Sequence, residues 1–494
     1  MRWATRWTNG LANDQPSDMR WREWSFRLDW WLALILGVSI VLRLILAQHG
    51  GQMFYPDESR YNNSGEALDA FHHNDPEKAM GLLFSHGDHL GFRVIMLAAA
   101  VCQTRWDLDG STIAFLGSGL FSVICILLTY LIVRRLGGDR EEARWTALFM
   151  AVANSLFYWS RHILPYDMAL CFALGGLFVG VHPNSSWCHS VTAGCLGFLA
   201  FVTYNGYWTM VGVVLGIHVM LGWPSIRQLI QRSALGAIAL ALPMIGLLWW
   251  AEARGFPLID SYFAFSESIR QGDFSDGHRM IIEYLWYSEH GLLVVWILSA
   301  GYFIAAWATG REGAKSSRAR IGLFGALALA VTLIWFSNVQ HKFVVYGRLV
   351  RQIVPFLSLL SGWAAARFCE RFPKWGWRRL ALALALVAFG AFNFRIPLSQ
   401  SWDFEKRAIK YRDDYRQRSG ASEADRIPIG RFRLVMQEVI WPIPKQFDLP
   451  PHKVLMKGSH VLQFEPLLYE GYNRKQRAAI RATDISDKLI LLDR

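Results

Sequence analysis

The stretch Trp30–Ala47 reads WWLALILGVSIVLRLILA, an apolar run long enough to cross the ~30 Å hydrocarbon core of a bilayer as a helix. Arg43 and a Gly/Gln stretch mark its far end, where a cleaved signal peptide would carry a small-residue cleavage site. Working outward, long apolar runs recur at 111–133, 145–159, 168–181, 191–203, 207–221, 234–250, 292–308, 321–336, 349–366 and 380–394, about eleven spans in all. The 494 residues are 53% hydrophobic and include 23 Trp, a composition foreign to a soluble enzyme of this size. Charged residues make up 18% and clump between the apolar runs, which excludes disorder, coiled coil and a disulfide-stapled scaffold. Cys102, Cys125, Cys171, Cys188, Cys195 and Cys369 show no metal or CxxC spacing and read as small buried hydrophobes.

The net charge of +12 would suggest nucleic acid in a soluble protein, but its distribution points elsewhere, and no nucleic-acid partner is expected. With residues 1–29 as a cytoplasmic amino-terminal segment, alternate loops carry the bases: Arg134, Arg135, Arg140 and Arg144, then Arg227 and Arg232, then Arg311, Lys315, Arg318 and Arg320, then Arg367, Arg371, Lys374, Arg378 and Arg379. By the positive-inside rule these face the cytoplasm. The first loop, 48–110, is richer in acids and falls on the outer face of a plasma (inner) membrane. Within it 91–104 is apolar but too short to span, and reads as lying along the membrane surface. No internal repeat or low-complexity tract occurs.

Past the membrane module, 30–396, the character changes. Residues 397–494 have no span, mix charge with short apolar runs, and carry the turn signals Trp441-Pro442-Ile443-Pro444 and Leu449-Pro450-Pro451. They read as a small extracytoplasmic soluble α+β domain, with strands at 453–464 and 488–492 and a helix at 473–483. The fold class is therefore mostly α, a polytopic transmembrane helical bundle with a small carboxy-terminal α+β domain.

Three segments carry candidate chemistry. In Tyr55-Pro56-Asp57-Glu58-Ser59-Arg60-Tyr61, Pro56 marks a turn and two acids open a helix running to Ala70, close to the membrane surface. Asp57 and Glu58 either complement a helix dipole or form an ionisable functional cluster, which is costly to place at a bilayer edge. His72, His73, His86, Asp88 and His89 follow in the same loop. The second segment, Ser160-Arg161-His162-Ile163-Leu164-Pro165-Tyr166-Asp167, places Asp167 on the same face as Asp57, as a helix cap or a functional acid. The third, Gln340-His341-Lys342 with Tyr346-Gly347-Arg348 and Arg351 before Pro355, sets four bases on the outer face against the positive-inside pattern. They need an anion there, either a bound phosphate or ordinary lipid headgroups. The outer loop 252–289 reads as a cover over the site without specific features. No cofactor is predicted. A divalent metal on His86 and His89 stays open, although Gly87 argues against the helix that would align them. The Trp residues flanking spans read as interfacial anchors.

On these residues the chain resembles the GT-C superfamily of polytopic glycosyltransferases, in the branch of protein O-mannosyltransferases and the bacterial lipid A aminoarabinose transferase. The resemblance spans roughly the first 400 residues. It rests on Asp57-Glu58-x-x-Tyr61, on His86, on Ser160-Arg161 with Asp167, and on the basic segment before Pro355. After His86 the chain reads Gly-Asp-His-Leu where the family often has Pro-Pro-Leu, and Leu164-Pro165-Tyr166-Asp167 stands for Arg-Pro-Asp.

The resemblance implies a polyprenyl-phosphate sugar donor, a lipid, polysaccharide or protein acceptor, and inverting transfer on the outer face among membrane lipids. A general base suits Asp57, with Glu58 and Asp167 as further catalytic candidates. Lys342, Arg348 and Arg351 would hold the donor phosphate as its charge grows. Tyr61, His86, Arg161 and His341 would position substrate. By the same analogy the carboxy-terminal domain would help select the acceptor. The rival class is a polytopic transporter or flippase of a lipid-linked or anionic substrate, which would show two related halves and midplane charges.

Overall fold

A computed structural model describes residues 29–48, 67–68, 70–84, 89–106, 112–160, 162–182, 186–222, 225–260, 262–263, 267, 280–310, 316–336, 347–371, 376–399, 417–418, 420 and four short strands. Helices α1 (Trp30–Gln48), α2 (Pro76–Phe84), α3 (Leu90–Arg105), α4 (Thr112–Arg135), α5 (Arg140–Val152) and α6 (Asn154–Trp159) come first. They are followed by α7 (Tyr166–Gly180), α8 (Trp187–Thr203), α9 (Trp208–Met220), α10 (Ile226–Ala253) and α11 (Met280–Glu289). The bundle is completed by α12 (Gly291–Ala308), α13 (Ser317–Ile334), α14 (Gly347–Val350), α15 (Val354–Glu370) and α16 (Gly376–Ser399).

Six of these helices combine the length and apolarity needed to cross a bilayer: α1, α4, α10, α12, α13 and α16. The apolar helices α3, α7 and α8 are shorter. Two expected spans are broken. The run 145–159 divides at Ala153, whose extended backbone (ψ 115°) separates α5 from α6. The run 349–366 opens with α14 and a 3₁₀ turn at Arg351–Ile353 before α15 begins. The segment expected along the membrane surface is α3, which packs on α4 and α8.

The centre of the bundle is α7, packed on α4, α8 and α9, with α15 packed on α5, α12 and α13. Lipid-facing apolar surface cannot drive such association, so small residues bring the backbones together. A Cβ on Gly362 of α15 would overlap Thr146 of α5, and one on Gly194 of α8 would meet the Gly236 carbonyl of α10.

One end of the bundle is tied by ion pairs among bases assigned to the cytoplasmic loops. Arg144 meets Asp29 at 2.9 Å, Arg318 meets the buried Glu142 at 2.7 Å, and Arg379 meets Glu141 at 3.1 Å. Asp139 caps α5 by accepting from the Glu142 N–H at 2.8 Å, and Arg318 also donates to the Leu136 carbonyl. The Asp29 carboxylate further accepts from Tyr130 and from the Leu32 N–H. Burial would raise its carboxyl, but the bonds from Arg144, Tyr130 and Leu32 outweigh burial and hold it below the ordinary aspartate value.

Two expectations need correction. Trp159, at the end of the run 145–159, is a core residue, whereas Trp30, Trp187, Trp249 and Trp377 are exposed as anchors would be. Among the cysteines Cys125 and Cys369 are buried, but Cys188 is exposed. In the carboxy-terminal segment β1 (Ile427–Pro428), β2 (Lys453–Met456), β3 (Asp484–Ser486) and β4 (Leu489–Leu492) form an antiparallel sheet in the order β1-β2-β4-β3. The expected strand at 453–464 is described only as β2, and the helix at 473–483 lies outside the described residues.

Candidate active site

Asp167 stands in the first turn of α7, where a carboxylate complements the helix dipole. It is no cap: Pro165 holds the N-cap position, and the Asp167 side chain pairs instead with Arg351. Arg351 opens the 3₁₀ turn that leads into α15, and both groups are buried. A buried guanidinium needs a counter-charge, and Asp167 supplies it through one nitrogen. The other Arg351 donors, Nε and Nη1, have no partner among the described residues. The Tyr207 hydroxyl is likewise buried and unpartnered among them, within electrostatic reach of both charges.

The turn that carries Arg351 is fixed from the side. Gln352 accepts from the Thr209 hydroxyl at 3.1 Å and donates to the Gly206 carbonyl at 3.3 Å. Gly206 is needed at this crossing, because a Cβ there would press on the Tyr204 ring and Leu349.

A second buried guanidinium, Arg43, lies within α1 rather than at its margin. It donates to Ser122 of α4 at 2.8 Å and to the Ser39 carbonyl at 3.2 Å, while Ser122 donates to the Leu156 carbonyl of α6. Its charge acts on Asp167, so two guanidinium groups share one carboxylate. Beyond Arg43, α1 ends at Gln48 and releases the loop that holds Asp57, Glu58 and Tyr61.

Glu289, the last residue of α11, accepts from the Asn154 and Ser155 N–H groups at 2.7 and 2.9 Å, and so caps α6 with a buried carboxylate. Asn154 in turn donates to the Ser288 carbonyl at 3.0 Å. Burial pushes the Glu289 carboxyl up, opposed by the bonds from Ser155 and Asn154 and by the Arg351 charge. This cap explains the break at Ala153. The helix restarts because a carboxylate from a distant segment satisfies its first donors.

An aromatic wall runs beside the ionic groups. His89 packs edge-on to Tyr204 with centroids 4.7 Å apart, Tyr204 on Tyr166 at 4.8 Å, and Tyr166 on Trp159 at 5.5 Å. His162 and Tyr158 close the row. His89 itself stands outside the helix with φ 60°, and no group of three metal-ligating side chains occurs among the described residues.

Of the residues singled out in the sequence, the structure brings Asp167 and Arg351 together. Arg348 falls in α14, and nothing is described of its side chain. Asp57, Glu58, Tyr61, His86, Arg161, His341 and Lys342 lie outside the described residues. Arg43, Tyr207, Gln352 and Glu289 were missed. For Arg43 the signal was present, since an arginine inside an apolar span is a functional candidate by default. Glu289 offered none, being one acid in a long loop.

Fold and site together define a bundle in which six of the described helices are long and apolar enough to cross a membrane, built around a buried ionic pair. The solved structures it is similar to include ArnT from Cupriavidus metallidurans bound to undecaprenyl phosphate, at 17% identity and TM-score 0.52, covering 73% of this chain and 64% of that one. The same protein in the apo state gives 18% identity and TM-score 0.51, covering 72% and 63%. An oligosaccharyltransferase from Archaeoglobus fulgidus tethered with an acceptor peptide follows at 11% identity and TM-score 0.46, covering 78% and 57%. The chain thus spans less than two thirds of the length of these proteins. No family model and no curated protein matches the sequence.

Proposed function

We propose that the chain is an integral-membrane glycosyltransferase that moves a hexosyl or pentosyl group from a polyprenyl-phosphate donor to a hydroxyl acceptor on the outer face of a plasma membrane. The observation that carries this reading is the Arg351 guanidinium. It is buried, tethered to Asp167 through one nitrogen, and keeps two further nitrogens without a partner among the described residues. Such a group suits a phosphate, because planar N–H donors match its oxygens and a dry site strengthens the attraction. The ArnT structure with bound undecaprenyl phosphate supports the choice of a carrier lipid.

In this reading the acceptor oxygen attacks the anomeric carbon opposite the phosphate, and the carbon–oxygen bond to the phosphate breaks. Configuration inverts, the acceptor proton passes to Asp57, and polyprenyl phosphate leaves. Arg351, with Lys342 and Arg348, stabilises the charge that grows on the leaving phosphate. Asp167 positions Arg351, Arg43 adds a second positive charge beside Asp167, and Glu58 assists Asp57. Tyr61, His86, Arg161 and His341 position substrate. Residues 397–494 form an extracytoplasmic domain that helps select the acceptor.

The test measures transfer from radiolabelled polyprenyl-phosphate sugars to a membrane extract by purified protein in detergent. Wild type transfers from at least one donor, and Asp57→Asn binds that donor but does not transfer. Failure of wild type to bind or use any common donor would overturn the reading, as would full activity of Asp57→Asn.

A further inference from the structure

A cavity of about 600 Å³ lies between α12, α15, α5 and α16, within the ~300–1,000 Å³ range of ligand sites. It is lined by Leu298, Ser299, Tyr302, Ser361, Phe368 and Leu382 among others, with Arg371 at its rim. The site described above is far away. Arg351 opens the 3₁₀ turn that leads into α15 and Arg371 immediately follows the helix, so its 17 residues hold them roughly 25 Å or more apart. Arg371 shares its end of the bundle with Glu141 and Arg379, whose charges reach Cys369 two residues earlier.

Three observations define an occupant. First, the serine hydroxyls in the wall are spent. Ser361 donates to Ser299 at 3.0 Å, and Ser299 donates to the Val295 carbonyl at 2.8 Å, so both hydroxyls have given up their protons and methylene and ring surface dominates the lining. An aliphatic chain fits this interior, and a polar solute would leave its own groups unpaired. Second, the cavity opens toward lipid: Leu298 is 66% exposed and Phe368 49%. Third, the rim carries a charge that no side chain among the described residues neutralises. Arg367 pairs with Glu370 and Arg379 with Glu141, whereas the Arg371 guanidinium has no side-chain partner among the described residues.

We propose that this cavity binds an anionic phospholipid from the leaflet opposite the Asp167–Arg351 pair. One acyl chain lies between α12 and α15 against Tyr302 and Phe368, and the phosphate meets Arg371. The position of the cation argues for this occupant over the tail of a carrier lipid. A carrier whose phosphate lies on Arg351 would bring only hydrocarbon to the far leaflet and would have no use for Arg371.

Native mass spectrometry of the full-length protein in detergent, offered equal amounts of phosphatidylglycerol and phosphatidylcholine of matched chains, reads the site directly. Wild type is expected to retain phosphatidylglycerol about tenfold over phosphatidylcholine, the scale of one charge-assisted contact. Arg371→Gln, an exposed substitution that leaves the fold intact, brings the two lipids to parity. Ala364→Trp fills the cavity and removes the retained lipid of either kind, in a protein whose melting temperature is checked alongside. Equal retention by wild type would overturn the proposal, as would unchanged selectivity in Arg371→Gln. Displacement of the lipid by undecaprenyl phosphate, blocked by Arg351→Gln, would also overturn it and assign the cavity to the carrier's tail.

Discussion

Arg351 and Asp167, 184 residues apart in sequence, meet side chain to side chain in the interior, and Arg43 on α1 adds a second guanidinium to the same carboxylate. Removing one member of a buried pair strands the other charge, which costs about 3–5 kcal/mol, whereas replacing both is close to neutral. The pair therefore separates fold from chemistry. Arg351→Gln and Asp167→Asn each lower the melting temperature in detergent, and the double variant recovers part of the loss, because Arg43 still lacks its counter-charge. Under the proposed function transfer does not recover, because the guanidinium proposed to hold the phosphate is gone, and it falls by about 10²–10³ in both variants that lack Arg351. A double variant as active as wild type would reduce Arg351 to a structural part.

Glu289 offers a different test, since it accepts from two backbone N–H groups at once. Glu289→Gln keeps one accepting oxygen and turns the other position into a donor facing an N–H. The expected loss is about 1–3 kcal/mol, with faster proteolysis around α6. Glu289→Asp, whose carboxylate keeps both acceptors on a shorter arm, should fall between wild type and Glu289→Gln. Equal stability of all three would show that α6 needs no cap.

Hydropathy alone made the bundle legible, because bilayer thickness imposes a length on every apolar run and loop charge imposes an alternation. Asp167 and Arg351 were legible as candidates for the same reason: each sits at the end of an apolar run where a charge is costly, on one assigned face. Their pairing was not, since a contact across that sequence distance leaves no local periodicity. The run at 145–159 shows the same limit. Nothing between Trp145 and Trp159 forbids a continuous helix, and the break belongs to a carboxylate contributed by Glu289. Arg43 was readable inside the expected span Trp30–Ala47, but it was used only against a cleaved signal peptide and was not taken as a candidate for chemistry.

At the opposite end, Asp29 predicts a pH dependence. Its carboxyl is held below the ordinary value of ~4, so its contribution to stability is fully present above that value and is lost as pH falls through the lower folded value. Asp29→Asn gives up this contribution at every pH. Melting temperatures of wild type and variant, followed downward from neutral pH, should differ at the start and converge in the acid range. A gap that stays constant throughout would remove Asp29 from the titration.

The approach of α15 to α5 depends on Gly362, where a Cβ would overlap both the hydroxyl and the backbone of Thr146. Thr146 cannot swing aside, because its hydroxyl donates to the Glu142 carbonyl at 3.0 Å and its backbone belongs to the helix. Gly362→Ala must therefore push the two helices apart, with an expected cost of about 1–3 kcal/mol. Because α15 begins at the turn that carries Arg351, the displacement should also reach the site and lower transfer along with melting temperature. Gly212 of α9 has nothing within 4 Å of its would-be Cβ, so Gly212→Ala serves as the control and should leave both readings near wild type. Equal behaviour of the two variants would show that the closeness of α15 and α5 is not what holds Arg351 in place.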